Sequence, residues 1–292
     1  MSDAGPGARP RVALETAFLT SGLPQGERLP AAEAMARQVE RRGAEPAFVG
    51  VVGGEPVVGI DRAGLERLSR VGGKASTRDL PLAAARGADA GTTVAATLFI
   101  AYRAGVGVAA TGGIGGVHPG DGPLDESADL LELARTPIVI VCSGAKAILD
   151  LPATLERLET QGVTVVGWRT DELPAFWWAA SGLSLPGRVD EPEDAAEVAR
   201  AARELGLPGA VVICVPPPPE AALDPEEGER AVARADADAK DLGIGGPDLT
   251  PFLLARVAEL TEGRSLRANL ALLANNAGVA AEIATAGAAG GA

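Results

Sequence analysis

Lys146 is the residue whose type and position most directly indicate chemistry. It ends the sequence Val141-Cys-Ser-Gly-Ala-Lys146, which overlaps the apolar segment 137–142. That segment is short and β-branched and predicts a buried parallel strand, whereas residues 145–159 have a helical pattern. A lysine between the two would lie at the carboxyl edge of a sheet, where open α/β folds bind ligands. Partial burial there favours a neutral amine that can attack a carbonyl carbon. A solvated lysine early in a surface helix is an equal alternative.

Two further clusters carry charges that chemistry could use. Glu15 closes a predicted strand at residues 11–15. A carboxylate there is costly unless it is paired or used, so general acid or base duty and a cap on the next turn are the two interpretations. Lys74, Arg78 and Asp79 lie in a glycine-led loop that suits a phosphate, with an ordinary surface ion pair as the alternative.

A glycine-rich loop runs from Thr111 to His118 and follows another predicted strand. Its small residues let backbone N–H groups approach an anion closely. It is not a dinucleotide-binding fingerprint, because His118 stands where the third glycine would be. His118 is the only histidine in the chain. Its place on this loop favours a position near a ligand over a structural role.

Two acidic residues follow the loop, Asp125 and Asp129. They share a helix face if a helix begins there, so one could hold a hard divalent cation while the other moves protons. A capped helix start is the alternative. The chain has no Cys/His zinc spacing, so any metal is expected to be oxygen-bound Mn²⁺ or Mg²⁺.

Composition excludes several classes of partner. The chain has 292 residues, 47% of them hydrophobic, and a formal net charge of -13 without a basic stripe, which argues against nucleic-acid binding. Its two cysteines both end apolar segments, which predicts buried thiols and not a disulfide. Free thiols are consistent with a reducing compartment. Neither a signal-peptide pattern nor a membrane-length apolar segment is present. These features predict a soluble cytoplasmic protein that does not interact with membranes.

Strand-like and helical segments alternate along the chain, which predicts an α/β fold: a single α/β/α sandwich domain with a largely parallel central sheet. The domain is expected to span residues 11–284, with disordered ends at 1–10 and 285–292. The prolines of segment 216–219 end a strand, but no second core follows them. The predicted strands cover 11–15, 46–52, 106–110, 137–142, 163–168 and 210–215. The predicted helices cover 30–42, 92–104, 128–135, 191–205, 226–241, 251–260 and 266 to about 284.

Several motifs, taken together, carry a family resemblance. In order and at nearly the family's spacing, the chain resembles the pseudouridine-5'-phosphate glycosidases, including related C-ribosyl synthases. The match runs from about residue 11 to about residue 284. It is carried by Leu14-Glu-Thr16, Lys74 with Arg78-Asp-Leu-Pro81, Gly91-Thr-Thr-Val94, Ala110 to His118, Ser127-Ala-Asp-Leu130, Gly144-Ala-Lys146 with Ile148-Leu-Asp150, Leu173-Pro-Ala-Phe176, Thr250-Pro-Phe-Leu-Leu254 and Ser265-Leu-Arg-Ala-Asn-Leu270.

The resemblance implies a reaction and its participants. Family members reversibly cleave the carbon–carbon bond between uracil and ribose 5-phosphate, use a divalent metal, and form α/β/α homotrimers. Lys146 matches the family's nucleophile, Glu15 its proton donor and Asp125 its metal ligand. The substrate-binding positions are matched by Lys74, Val94, Thr111, His118, Ser127, Ala128, Asp129 and Asn269, with Thr111 near the phosphate and His118 and Asn269 near the base.

Some positions depart from the family pattern. Ser21 stands where a histidine is common, Pro119 where arginine is usual, and Glu126 where isoleucine is usual. Neutral drift explains scattered changes. A changed aglycone is the sharper alternative, since some relatives attach ribose 5-phosphate to an aromatic carbon by the same lysine chemistry; that hypothesis predicts that Ser21 and Pro119 line an enlarged base pocket. A non-catalytic sugar-phosphate binder is a third hypothesis, disfavoured because binding alone needs no nucleophile. The intact catalytic set favours the uracil enzyme.

Overall fold

A largely parallel sheet runs through the centre of the protein. The computed structural model describes residues 9–120 and 125–290. Within them, ten strands form one sheet in the order β4-β5-β2-β1-β6-β7-β10-β8-β9, with β3 paired to β2. The strands are β1 (Arg11–Leu14), β2 (Glu45–Val52), β3 (Glu55–Val58), β4 (Lys74–Ala75), β5 (Ala90–Thr92), β6 (Val108–Ala110), β7 (Val139–Cys142), β8 (Thr164–Trp168), β9 (Arg188–Val189) and β10 (Val211–Cys214).

Pairing is parallel except around β2, which pairs antiparallel with both β3 and β5. In the central strands the register aligns Leu14 with Ala110, Ala110 with Val141, and Cys142 with Cys214. The carboxyl ends of β1, β6, β7 and β10 therefore meet at one edge of the sheet.

Helices cover the sheet on both faces. They are α1 (Gln25–Glu40), α2 (Arg62–Ser69), α3 (Leu80–Arg86), α4 (Val94–Arg103), α5 (Ala128–Leu133), α6 (Leu151–Thr160), α7 (Pro192–Glu204), α8 (Pro225–Asp241), α9 (Leu249–Leu260) and α10 (Arg264–Ala289). Every residue of β7 and β10 is buried, which requires cover on both sides of the pleat. The predicted α/β fold with a largely parallel sheet is confirmed.

The long helix α10 joins the sheet to the outer helices. It packs against α1, α7 and strands β1, β6 and β7. Its buried positions include five alanines and Gly278 as well as Leu272, Leu273 and Ile283, and small side chains let helices approach closely. Gly278 lies against the guanidinium of Arg42, which forms an ion pair of 2.6 Å with Glu282. The C-terminal segment is therefore part of the main core.

The sequence predictions differ from the structure in four places, one of which is helix α1, which begins at Gln25 and not at the predicted residue 30. The helix after β7 begins at Leu151, because Asp150 caps it and Pro152 occupies its first turn, so the predicted helical start at residue 145 is wrong. Helix α10 continues to Ala289, beyond residue 284, while residues 1–8 and 291–292 of the predicted disordered ends lie outside the described residues. The short elements β3, β4, β5, β9, α2 and α3 were not predicted.

None of the described helices is long and apolar enough to cross a membrane.

Candidate active site

The register of the sheet gathers the predicted catalytic residues at one edge. Because Leu14, Ala110 and Val141 are aligned across β1, β6 and β7, the residues that follow them leave the sheet side by side. Glu15 follows β1, Thr111 follows β6, and Lys146 lies four residues beyond the end of β7. The charge of Lys146 acts on the Glu15 carboxyl, so the two groups are electrostatic neighbours.

Lys146 ends a turn of residues 143–146, the lysine turn, which follows β7 and is held against the glycine-rich loop. The two segments bond in alternation: Ser143 N–H donates to the Gly112 carbonyl at 2.9 Å, Ile114 N–H to the Gly144 carbonyl at 3.1 Å, and Lys146 N–H to the Ile114 carbonyl at 3.1 Å. The lysine is half-buried while Ala145 and Ala147 on either side are buried. Its backbone is thus fixed by hydrogen bonds of strand type rather than by a helix.

Gly144 has no freedom to be another residue. Its φ is +79°, and a Cβ there would lie 2.2 Å from the carbonyl oxygen of Pro174. The segment after β8 therefore rests directly on the lysine turn. Phe176 N–H donates to the Ser143 carbonyl at 3.0 Å, and Phe176 itself is buried with a positive φ of 62°. A bulky residue in that region persists only where surrounding contacts impose it.

Asp129 is a buried structural acceptor for the loop. Its two carboxylate oxygens accept backbone N–H groups from Ala95 and Gly115, each at 2.8 Å. Helix α5 begins only at Ala128, capped by the Ser127 hydroxyl, so Asp125 lies outside it. The expectation that Asp125 and Asp129 share a helix face is wrong. With both oxygens engaged, Asp129 is suited to hold the loop and to add negative charge near Glu15.

The Glu15 carboxyl is tuned to neutral pH. Burial raises its pKa to about 7; the charge of Lys146 opposes that rise, and the charge of Asp129 adds to it. The Thr111 hydroxyl and Lys74 lower the pKa of Glu15 by smaller amounts. Behind it, Thr16 Oγ1 accepts the Thr92 N–H at 3.0 Å and ties the end of β1 to β5. A carboxyl with this pKa can both give and take a proton near pH 7.

Lys74 brings a second ammonium to the same edge. It lies in β4, which pairs parallel with β5 beside the Glu15 segment. Partial burial lowers the pKa of Lys74, and so does the nearby charge of Lys146, although the residue as a whole is exposed to solvent. Two like charges held close together indicate a place for an anion. Val94 is buried at the first position of α4, capped by the Thr93 hydroxyl, so it can offer its backbone N–H to that anion.

Two buried polar atoms on the glycine-rich loop have no well-formed hydrogen-bond partner among the described residues. They are Thr111 Oγ1 and His118 Nδ1. Buried polar atoms are rarely left unsatisfied in native proteins, so both indicate positions that a ligand or water completes. Asn269 is half-buried on α10, and its Oδ1 lies 3.4 Å from where a Cβ on Gly112 would be, so it also borders the loop. Ser127 touches the loop at Gly115, while Ala128 is exposed.

The predicted metal ligand, Asp125, lies at the rim. Asp125 is exposed, and its backbone carbonyl accepts the His118 N–H at 2.9 Å. Within residues 9–120 and 125–290, no three His, Cys, Asp or Glu side chains are grouped to hold a metal ion. A single carboxylate fits Mg²⁺ or Mn²⁺ only as a largely hydrated ion, which is how such ions are often bound. Glu126, one of the unusual residues, is accounted for by its 2.9 Å ion pair with Arg157.

A cavity of about 380 Å³ lies behind the lysine turn, not at the Lys146–Glu15 cluster. Its walls include Pro119, residues 147–152, Trp178 and parts of α8 and α9, and neither Lys146 nor Glu15 lines it. Ser21 does not line it either; that residue is half-buried in the π-helical turn Phe18–Gly22. The cavity therefore adjoins Pro119 but not Ser21, although the changed-aglycone hypothesis predicts that both line one pocket.

Sequence reasoning missed three residues that hold the site together. Asn276 is fully buried on α10 and bonds to both loops, Ser143 bonds to Asn276, and Phe176 rests on the lysine turn. Asn276 lies within a helical pattern, where a polar residue on the apolar face was the available signal. Nothing in the local sequence distinguishes the partners of Asn276, which are 165 and 133 residues away along the chain.

Comparison with known proteins places this fold and site. The family model described as indigoidine synthase A like protein matches residues 2–286. Pseudouridine-5'-phosphate glycosidase of Gemmatimonas aurantiaca is 51% identical over 278 residues, covering 94% of this chain and 90% of that protein. The enzyme of the same name from Chloroflexus aurantiacus is 50% identical over 281 residues, covering 94% and 92%.

Two solved structures share the fold. An indigoidine synthase A-like protein from Thermotoga maritima superimposes with a TM-score of 0.89 at 38% identity, covering 95% of this chain and 92% of that one. The prealnumycin C-glycosynthase AlnA, solved in complex with ribulose 5-phosphate, superimposes with a TM-score of 0.89 at 38% identity, covering 97% and 93%.

The fold and the site define an α/β enzyme with a lysine and a carboxyl group at the carboxyl edge of a parallel sheet. The extent and identity of the matches are more specific than that class. The chain belongs to the pseudouridine-5'-phosphate glycosidase family.

Proposed function

We propose that this protein reversibly cleaves the C-glycosidic bond of pseudouridine 5'-phosphate to give uracil and ribose 5-phosphate. The observation that carries the proposal is the Lys146–Glu15 pair at the carboxyl edge of the sheet, beside a second ammonium and two unsatisfied polar atoms. Relatives that are about half identical over nearly the whole chain carry that name. A lysine nucleophile is chemically necessary because a carbon leaving group cannot depart as the nitrogen of an ordinary nucleoside does.

Lys146 supplies the electron pair that breaks the bond. The amine attacks C1' and forms a C–N bond while the C1'–O4' bond of the sugar opens. The nitrogen lone pair then forms a C=N bond to C1' as the C1'–C5 bond breaks, and the electrons of that bond go to C5 of uracil. Water hydrolyses the resulting imine, which releases ribose 5-phosphate as the aldehyde and regenerates the amine.

Glu15 moves the protons that keep these steps balanced. The neutral carboxyl gives its proton to O4' as the ring opens, and the carboxylate then takes a proton from the nitrogen attached to C1'. The same proton goes to C5 as the C1'–C5 bond breaks. Its pKa of about 7 suits a group that must alternate between the two forms.

The remaining predicted residues bind and orient. Lys74 and the first turn of α4 at Val94 face the phosphate, with Thr111 Oγ1 beside it, and His118 Nδ1 and Asn269 border the base. Asp125 would hold a largely hydrated Mn²⁺ or Mg²⁺. Bound there, the ion would supply positive charge next to substrate oxygens.

Trapping the imine tests the mechanism directly. The purified protein is incubated with Mn²⁺, ribose 5-phosphate and borohydride, and the modified peptide is identified by mass spectrometry. The chain contains only three lysines, Lys74, Lys146 and Lys240, so the assignment is unambiguous. Reduction at Lys146 is the expected result, and an adduct on Lys74 instead would overturn the mechanism.

The substrate is tested in a second experiment. Uracil and ribose 5-phosphate with wild-type protein should yield a product with their combined mass minus water. Lys146→Ala should yield none, and Lys240→Ala should match wild type because that side chain pairs with Asp236 on α8. A trapped imine without this product would retain the lysine chemistry and reject uracil as the base.

A second candidate is a C-ribosyl synthase that joins ribose 5-phosphate to an aromatic natural-product carbon. One observation favours it, the likeness to the prealnumycin C-glycosynthase; the cavity that Pro119 lines does not, because it lies away from Lys146 and Glu15. In this case the wild-type protein forms the imine but makes product only with a larger aromatic partner. Replacing Pro119 by arginine should then reduce that product selectively and leave imine trapping unchanged.

We further propose that the protein assembles as a homotrimer in the cytoplasm, as the family resemblance implies. Light scattering of the purified chain should give three times its mass of 29.4 kDa. A monomer at micromolar concentration would contradict the assembly and leave the chemistry of the site untouched.

A further inference from the structure

We infer that Asn276 is a positioning residue that sets Lys146 against Glu15 by clamping the lysine turn to the glycine-rich loop. The inference rests on the proposed lysine chemistry and names a determinant of it on α10. Asn276 lies outside the residues that the family resemblance implies as substrate-binding. It contacts the backbone of one loop and a side chain of the other.

The contacts of Asn276 converge on both segments. Its Nδ2 donates to the Thr111 carbonyl at 2.9 Å, to the Gly112 carbonyl at 3.3 Å, and to Ser143 Oγ at 3.1 Å. Two carbonyl acceptors fix the orientation of the amide, because its own oxygen could not face them. The side chain is 0% exposed, so water does not compete for these bonds.

The clamp acts where the two segments first leave the sheet. Thr111 is the residue after β6 and Ser143 the residue after β7. Beyond these points the segments hold each other through the Ile114–Gly144 and Lys146–Ile114 backbone bonds. A displacement of Thr111 or Ser143 is therefore transmitted through these backbone hydrogen bonds to Lys146. The same carbonyl contact fixes Thr111, whose hydroxyl acts on the Glu15 carboxyl.

Helix α10 gives the clamp a rigid base. The helix packs against α1, α7 and the central strands, and residues 276–281 are all buried. Neighbouring Asn275 faces partly to solvent. The chain thus offers a matched pair of adjacent asparagines, one on the clamp and one beside it.

The test measures the reactivity of Lys146. In Asn276→Ala, formation of the borohydride-trapped adduct with ribose 5-phosphate should slow by about 10- to 100-fold per folded molecule, since displacements near 1 Å cost this much. Labelling of Lys146 by an amine-reactive ester, without any substrate, should change relative to labelling of Lys240. Asn275→Ala should leave both rates at the wild-type value.

Ser143→Ala supplies a milder variant in case Asn276→Ala does not fold. It removes one of the clamp contacts and should slow adduct formation less than tenfold. Combined with Asn276→Ala, it should add little further loss, because the two residues share one contact.

The outcomes separate the clamp from the proposed function. Wild-type rates of Lys146 labelling and adduct formation in folded Asn276→Ala would refute the clamp, even if the melting temperature falls. Absence of any adduct in wild type would reject the proposed chemistry. The substrate-free labelling of Lys146 would then still decide whether Asn276 positions it.

Discussion

The Glu15 carboxyl is buried, which disfavours its charged form, and it lies near Lys146. It is the first residue beyond β1, whose last three residues are buried, and burial raises its pKa to about 7. Lys146 and Lys74 hold the pKa of Glu15 lower than burial alone would, while Asp129 pushes it up. The balance leaves a group that is partly protonated at neutral pH, which an isolated glutamate is not.

The pH dependence of activity should report this carboxyl. If Glu15 gives a proton when the ring opens, kcat/KM should fall as pH rises above about 7. In Lys74→Met the fall should move to higher pH, because a charge that lowers the pKa of Glu15 is gone. Pre-steady-state imine trapping from about pH 5.5 to about pH 9 measures the pH at which the rate falls in each protein. A Lys74→Met profile with its fall at or below the wild-type pH would contradict this role.

Stability should also fall as pH rises, but over a lower range of pH. Below its unfolded value of 4.5 the carboxyl is protonated in both states and contributes nothing; above about 7 it is ionised in both, and the cost of burying the charge is complete. The folded protein thus loses stability from this group as pH rises from 4.5 to about 7. Glu15→Gln should gain roughly 3 kcal/mol over wild type at alkaline pH and about 1 kcal/mol or less near pH 5. Urea unfolding at the two pH values measures it, and an equal effect at both would be inconsistent with the raised pKa.

At the scale of elements, two loops and one later segment form the site. The lysine turn and glycine-rich loop bond in alternation, and the segment after β8 rests on both through Pro174 and Phe176. Gly113 has no space for a side chain, since a Cβ would lie 2.7 Å from the Phe176 ring. Close approach of backbones, rather than side-chain packing, therefore sets the geometry of Lys146.

Gly144→Ala should destroy that geometry. The alanine would carry both the strain of φ +79° and a clash 2.2 Å from the Pro174 carbonyl, so we expect a loss of more than about 3 kcal/mol and of imine formation. Gly206→Ala is the matched control, with φ +70° and open space around its Cβ, and should lose about 1 kcal/mol with full activity. Thermal unfolding with activity assays compares the two; equal losses would mean that the Pro174 contact is unimportant.

At the scale of the molecule, α10 makes the C-terminal region indispensable. It packs on α1, α7 and the central strands and brings Asn269 and Asn276 to a site whose other residues lie between positions 15 and 176. Because it lies on one face of the sheet, its removal would expose the buried side chains of β1, β6 and β7. The fold therefore depends on contacts between the two ends of the chain.

Two truncations should distinguish the essential part of α10 from its end. Removing residues from 286 onward should leave folding and activity intact, because most of the described positions there are exposed. Removing residues from 272 onward deletes buried Leu272, Asn276 and Ile283, and should prevent folding. Circular dichroism and gel filtration of both proteins provide the measurement. A folded product from the longer deletion would show that the core does not need this helix.

The sequence by itself determined the alternation of strands and helices, the parallel sheet, and the placing of Glu15, Thr111 and Lys146 at strand ends. Each of these follows from local periodicity and from small residues at strand boundaries. Both are features of residues that are close together in the sequence. The family motifs added predicted roles for these residues and for Lys74, Asp125 and Asn269. The assembly of the chain into one domain over residues 11–284 stays a prediction.

Only the tertiary structure decided how these residues act together. The Glu15 pKa, the two orphaned atoms on the glycine-rich loop, the outward position of Asp125 and the hold of Asn276 on Thr111 and Ser143 all depend on contacts between distant segments. Burial and register are properties of the packed chain, so the nearby sequence contains no record of them. The lysine turn shows the limit most clearly: its local pattern favours a helix, and its bonds to another loop prevent one.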